Sequence, residues 1–259
     1  MIIDLHNHTT LCNHAEGSIE AYVQTAITKK IDVFGFSDHA PMKFDEAYRM
    51  RFSEMDSYEK DVLTVREKYK DEIKILLAYE VDFIEGYIDE RVLKRSVDYL
   101  IGSVHYLGSW GFDNPEFIGE YSTKNLDEIW ECYFEAITLM AKSGHFDIVG
   151  HLDLIKVFNY LPEKDVRLIA KEAIKAIKKS NMSIELNAAG FRKPVKEQYP
   201  SNPLMELIAE HDIPITFGSD AHALDHIGFK QEELREIAKK YGYTKCATFE
   251  SRDRILVNF

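Results

Sequence analysis

Cysteine is scarce in this 259-residue chain: Cys12, Cys132 and Cys246 lie far apart, are odd in number and form no CxxC pair. That pattern excludes a disulfide framework and a thiolate zinc site, and it points to reduced thiols. Long apolar runs are also missing. No stretch of about 18 apolar residues reads as a membrane span, and the opening Met-Ile-Ile-Asp-Leu-His lacks the basic and apolar regions of an export signal. The expected setting is cytoplasmic, with no membrane partner. Positive charge is outnumbered, 32 Lys and Arg against 44 Asp and Glu, giving a formal charge of −12. The basic residues alternate with acids along segments such as 53–74 and 163–179, so they form a solvated face that would repel nucleic acid. Linkers rich in Gly, Ser or Pro, composition breaks and fixed-period repeats are absent too. Residues 1–259 read as one domain, large enough to bury a core without disulfides or a metal. Nothing in the composition specifies an oligomeric state.

What the chain does have is alternation. Apolar, β-branched runs predict strands at Ile2–Leu5, Val33–Ser37, Ile75–Phe83, Tyr99–Val104, Ile148–Gly150, Ser183–Asn187 and Ile215–Ser219. Amphipathic segments at 18–29, 53–70, 86–96, 125–142, 163–179, 203–210 and 231–240 predict helices between and after them. Alternating β and α units imply a parallel sheet, and seven of them favour a closed barrel over an open sheet. The fold class expected is α/β, a distorted (β/α)7 TIM-like barrel. The long stretches 40–73 and 107–146, with Pro, Gly and aromatic residues, are expected to emerge at the rim and shape a pocket.

Histidine is distributed with the strands. Seven of the ten histidines, with two acids, fall at or just beyond predicted strand ends: His6, His8, His14, His39, Glu80, His105, His151, Asp220 and His222. His6 and His8 occupy alternate positions on extended backbone and point the same way, so one ion can take both. His14 follows in a loop and His39 closes the second strand, ready to hold a neighbouring ion. Glu80 ends the third strand with two oxygens that can bridge two cations. His105, His151 and the pair Asp220 and His222 close the fourth, fifth and seventh strands; the sixth ends in Glu185-Leu186-Asn187. Imidazoles and carboxylates gathered at one barrel rim read as a cluster of several divalent ions. Histidine-rich ligation suits Zn, Fe or Mn better than Mg or Ca. Cys12, between His8 and His14, reads as a packed thiol rather than a ligand.

The motifs His6-Asn7-His8, Ser37-Asp38-His39, Tyr79-Glu80-Val81-Asp82, Gly102-Ser103-Val104-His105, Gly150-His151-Leu152-Asp153 and Gly218-Ser219-Asp220-Ala221-His222 resemble those of the polymerase-and-histidinol-phosphatase (PHP) superfamily, in particular its histidinol-phosphate phosphatase branch. The resemblance covers nearly the whole chain and implies three metal ions. It assigns one to His6, His8, Glu80 and Asp220, a second to Glu80, His105 and His151, and a third to His14, His39 and His222. It also implies hydrolysis of L-histidinol phosphate to L-histidinol and phosphate by a metal-bound hydroxide, a step of histidine biosynthesis. Charge is consistent with that chemistry: three divalent cations against two carboxylates leave about +4, which suits a phosphate monoester dianion and a hydroxide.

Around the cluster, Arg192 lies just past the sixth strand, where a guanidinium fork can meet paired phosphate oxygens. Glu80, Asp220 and Arg192 are the candidate catalytic residues, and Arg192, Lys156 and Asn187 the candidate substrate contacts. Asp82, Glu85, Trp110, Asp113 and Glu116 are placed to meet the cationic end of such a substrate, although surface placement is the simpler reading for each. His145, His211 and His226 fall outside the rim pattern and read as structural or surface residues. A phosphoesterase acting on another small phosphate, such as a nucleotide or sugar phosphate, and a non-catalytic PHP accessory domain are the alternatives. A deaminase of the amidohydrolase type would leave His14, His39 and His222 without a role.

Overall fold

The computed structural model describes residues 1–259. Seven parallel strands, Ile3–Asp4, Val33–His39, Lys74–Asp82, Tyr99–Ser103, Ile148–Val149, Ser183–Asn187 and Ile215–Gly218, pair in chain order. The Leu5 amide donates to Phe217 O at 2.9 Å, and Asn7 forms a parallel bridge with Ala221, so the last strand meets the first and the barrel closes. Each strand is buried on both faces, which is why runs such as Ile75-Leu76-Leu77-Ala78 are apolar without alternation. One core of 70 buried residues extends from Ile3 to Phe249.

The helices are α1 Ile19–Thr28, α2 Met55–Lys68, α3 Glu90–Leu93, α4 Leu126–Ser143, α5 Val166–Lys179, α6 Asn202–Glu210 and α7 Gln231–Lys240. Their ends follow local chemistry. Ser18 and Asn125 accept from the Ala21 and Glu128 amides at the starts of α1 and α4, and Gly144, at φ 71°, ends α4 in the left-handed region that a side chain disfavours. In α5 the inward stripe is Ala170, Ala173, Ile174 and Ile177, at helical spacing, while the lysines face solvent.

All seven expected strands are present, with ends moved by one or two residues. The expected helix over 86–96 shrinks to α3, because Asp89 caps a single turn that Lys94 ends. Among the elements that escaped the sequence pattern is a C-terminal antiparallel hairpin of Lys245–Glu250 and Asp253–Asn258. It covers the end of the barrel opposite the histidines. Thr216 Oγ1 donates to Ala247 O at 2.8 Å, the Tyr99 and Phe249 rings lie 5.6 Å apart, and the Arg252 amide donates to Asp98 O at 2.9 Å. No helix is long and apolar enough to cross a membrane.

Candidate active site

The strand ends on the histidine side form the floor of a cavity of about 1130 Å³. Its walls come in large part from the two long stretches flagged in the sequence, with Phe44, Tyr48 and Arg49 from one and Asp113, Pro115 and Phe117 from the other. All nine strand-end residues converge there. Donor atoms of His6, His8 and Glu80 lie within 4.8 Å of one another, as do those of Glu80, His105 and His151, those of His6, His151 and Asp220, and those of His14, His39 and His222. Glu80, 1% exposed, sits at the centre, with Oε2 3.3 Å from His6 Nε2 and Oε1 2.9 Å from His151 Nε2.

Five of the seven imidazoles are aimed by a partner behind them. Glu185 Oε1 takes His6 Nδ1 at 2.8 Å, Asp38 Oδ1 takes His8 Nδ1 at 3.4 Å, and Asp82 Oδ1 takes His105 Nδ1 at 2.5 Å. His14 Nδ1 bonds Cys12 O at 2.8 Å and His222 Nδ1 bonds Asp220 O at 3.2 Å. With Nδ1 donating outward, Nε2 presents its lone pair to the cluster. His6 Nε2 and His8 Nε2 are buried and have no hydrogen-bond partner. Buried nitrogens are normally satisfied, so these two orphaned lone pairs, beside a buried carboxylate, fit a divalent cation.

Glu185 is the functional residue that strand-end reasoning missed. It is the third residue of its strand, and its carboxylate reaches His6 only because the neighbouring strand carries Gly218: a Cβ there would stand 1.9 Å from Glu185 Oε1. Asp38 and Asp82 lie next to or two residues from candidate ligands, and their alternating register was the signal available. Asp82 also holds Arg49 Nη1 at 2.5 Å, so it supports the site rather than meeting the substrate amine.

The charges of the metal-free cluster are uneven. Burial alone would push the Glu80 and Asp220 carboxyls up, but the surrounding imidazoles outweigh it and hold both well below the usual carboxylate range. Burial pulls His8 and His105 down, yet the nearby Asp220 and Asp38 carboxylates, 3.2 and 3.4 Å from its two ring nitrogens, lift His8 to about 9, and Asp82 lifts His105 to about 10. In the third group burial wins: His39 falls to about 4, and His14 and His222 are lowered as well.

Arg192 stands beside the cavity. Its Nη2 donates to Ser219 O at 2.9 Å and to Asp220 O at 2.8 Å, leaving Nη1 as a buried donor without a partner. Lys156 corrects the sequence reading: it is 1% exposed, does not line the cavity, and its ammonium is held by Glu197 at 2.7 Å, Gln198 O at 2.7 Å and Asp153 at 3.1 Å. With three donors engaged it has none for a phosphate. Asn187 is also displaced from its expected role. It is fully buried, donates to Glu185 Oε2 at 3.1 Å and to Asp220 Oδ2 at 3.4 Å, and accepts from the Ala189 amide at 2.7 Å, so it orients carboxylates. Of the residues considered for the cationic end, Asp113 lines the cavity, whereas Glu85, Trp110 and Glu116 do not. His226, read as structural, is on the cavity wall, where its Nδ1 accepts from the His222 amide at 3.4 Å. Cys12 is buried and donates to Thr9 O at 3.1 Å, as a packed thiol does.

Fold and site together define a class: a closed parallel α/β barrel with groups that could hold metal ions at the C-terminal ends of its strands. The model of the PHP domain matches residues 4–189, and the chain belongs to the PHP domain family. A protein of Deinococcus radiodurans named "Probable histidinol-phosphatase" is 37% identical over 257 residues, covering 97% of each chain. The histidinol-phosphatase of Bacillus subtilis is 26% identical, over 90% of this chain and 98% of its own. A crystal structure of the Lactococcus lactis histidinol phosphate phosphatase, complexed with zinc, L-histidinol and phosphate, superimposes with a TM-score of 0.83 at 21% identity and 98% coverage of both chains, so the two share their fold.

Proposed function

We propose that this chain is a histidinol-phosphatase, hydrolysing L-histidinol phosphate to L-histidinol and inorganic phosphate in histidine biosynthesis. The observation that carries the reading is the convergence of nine imidazole and carboxylate side chains into compact groups at and just beneath the floor of one cavity. Relatives that match it almost end to end carry that name.

His6, His8, Glu80 and Asp220 would hold one divalent ion, Glu80, His105 and His151 a second, and His14, His39 and His222 a third. Zinc, iron and manganese all suit this donor set. When bound, such ions supply Lewis acidity, lowering the pKa of water in the site and neutralising phosphoryl charge. The chain's own residues do the rest. Glu80 belongs to two of the groups and would serve both ions, and Glu185, Asp38 and Asp82 orient the imidazoles of His6, His8 and His105. Arg192 offers a permanent cation to the phosphate through Nη1, while its Nη2 is anchored on the carbonyls flanking Asp220. Asp113 has no ion-pair partner and can meet the substrate's ammonium group at the far end.

A panel of phosphate monoesters tests the proposal. With metal-reconstituted enzyme, kcat/KM for L-histidinol phosphate should exceed that for sugar phosphates, nucleotides and an alcohol phosphate lacking the amine. Preference for any of those would refute the substrate assignment, and no phosphate release from any ester would refute the phosphatase reading.

A further inference from the structure

We propose that Tyr199 is a further substrate-contacting residue of this site, its phenol donating a hydrogen bond to a phosphoryl oxygen beside Arg192. The inference rests on the phosphatase reading. It concerns the sixth sector of the rim, the only one without a candidate metal ligand.

Tyr199 is 0% exposed, its ring is on the cavity wall, and its hydroxyl has no partner in the protein. Leaving a buried hydroxyl unbonded costs stability, and phenylalanine would fill the same space without that cost. The ring is also held firmly. Tyr199 N donates to Asn187 O at 3.0 Å and Asn187 N donates to Tyr199 O at 2.7 Å, clipping the segment onto the end of the sixth strand. On its flanks, a Cβ at Gly190 would come within 3.1 Å of the ring, Lys156 Nζ lies 5.3 Å from its centroid, and the His151 ring is 6.3 Å away.

Arg192, which also lines the cavity and carries an unpartnered buried donor, is within electrostatic reach of the phenol. Two unmet donors on residues that line the same cavity, beside the candidate metal ligands, describe a corner for an anion with several oxygens. Burial holds the phenol well above its ordinary pKa, so it remains a donor throughout the working range. The contact transfers no proton: the O–H bond stays intact, and the phenol stabilises phosphoryl charge as a dipole.

The test is Tyr199→Phe in zinc-loaded enzyme, assayed with L-histidinol phosphate and p-nitrophenyl phosphate. Inorganic phosphate serves as a competing ligand. Loss of one neutral donor should lower kcat/KM about 10- to 100-fold for both esters and weaken phosphate inhibition by about tenfold. Zinc content should match wild type, and Tm should not fall, because no protein hydrogen bond is lost. Tyr22→Phe is the control: that hydroxyl is equally buried and unpartnered but does not line the cavity, so its removal should leave kinetics unchanged. Kinetics and phosphate inhibition within twofold of wild type in Tyr199→Phe would overturn the proposal. So would a loss of activity accompanied by loss of zinc, which would put the phenol to work on the metal groups instead. Failure of the parent reading looks different: wild-type enzyme would favour another ester, while the effect of Tyr199→Phe on p-nitrophenyl phosphate and on phosphate inhibition would persist.

Discussion

Replacing Glu185 with glutamine changes one oxygen to an NH2 group and removes one charge, yet the structure leaves the new side chain no good position. Glu185 Oε1 meets His6 Nδ1 at 2.8 Å, while Oε2 accepts from the His151 amide at 2.9 Å and from Asn187 Nδ2 at 3.1 Å. If the glutamine oxygen faces His6, its NH2 confronts two donors. Leaving those donors unsatisfied costs about 1–3 kcal/mol of stability. If instead the NH2 faces His6, Nδ1 must become the acceptor, and the proton moves to Nε2, the atom that points at Glu80. The lone pair offered to the cation is then lost. Removing an orienting partner of this kind typically lowers metal affinity 10- to 100-fold, or about 1.4–2.7 kcal/mol. Glu185→Gln should therefore lose either thermal stability or affinity for the ion bound by His6, with kcat falling in step with occupancy. Competition of zinc against a fluorescent chelator, together with a melting curve of the metal-free protein, separates the two routes. A variant with wild-type zinc affinity and wild-type Tm would refute the view that Glu185 sets the His6 tautomer.

Glu80→Gln should remove the bridging charge and eliminate most phosphatase activity, with less than the full complement of ions by elemental analysis; near-normal turnover would mean that Glu80 does not bridge. Arg192→Ala should lower kcat/KM by about one to three decades, or about 1.4–4 kcal/mol, and weaken phosphate inhibition at unchanged metal content, with Arg192→Lys restoring only part. Unchanged kinetics in Arg192→Ala would return that side chain to a purely structural role at Ser219 and Asp220. Ion uptake should also depend on pH in two ways. His8 and His105, raised to about 9 and about 10, hold protons at pH 7 that a cation must displace, so affinity at their groups should climb as pH rises towards those values. The His14, His39 and His222 group, already neutral at pH 7 because burial lowers all three, should bind with little proton release. Calorimetry in buffers of different ionisation enthalpy reads the difference, and equal proton release at every step would contradict it.

The barrel and the gathering of histidines at its rim were legible because both obey short-range rules: strands buried on both faces are written as apolar runs, and residues at their C-terminal ends share one rim. What stayed hidden depends on distance along the chain. Lys156 looked like a phosphate ligand because it follows His151 by one turn, but its 3-10 helix turns it inward towards Glu197, a partner 41 residues away. Glu185 looked like one more strand residue until Gly218 on the next strand was seen to leave room for it. The C-terminal hairpin was missed because it ends the alternation of strand and helix instead of continuing it, and its apolar residues pack against the bottom of the barrel, not on a sheet face of their own.

Barrel closure also governs when the site can exist. The first strand supplies His6 and His8 and pairs with the seventh, which supplies Asp220 and His222, while the terminal ammonium of Met1 donates to Asn258 O at 3.1 Å, next to the last residue. Of the close groups, His6, His8 and Glu80, and Glu80, His105 and His151, come from the first 151 residues, whereas those that include Asp220 or His222 need the seventh strand. His14 and His39 wait for His222, and the pair that opens the chain gains its second carboxylate only with Asp220. A polypeptide still on the ribosome thus exposes imidazoles whose partners have not yet been made. A truncation that removes the seventh strand should abolish uptake at the groups that need Asp220 or His222, even where most of the histidines remain.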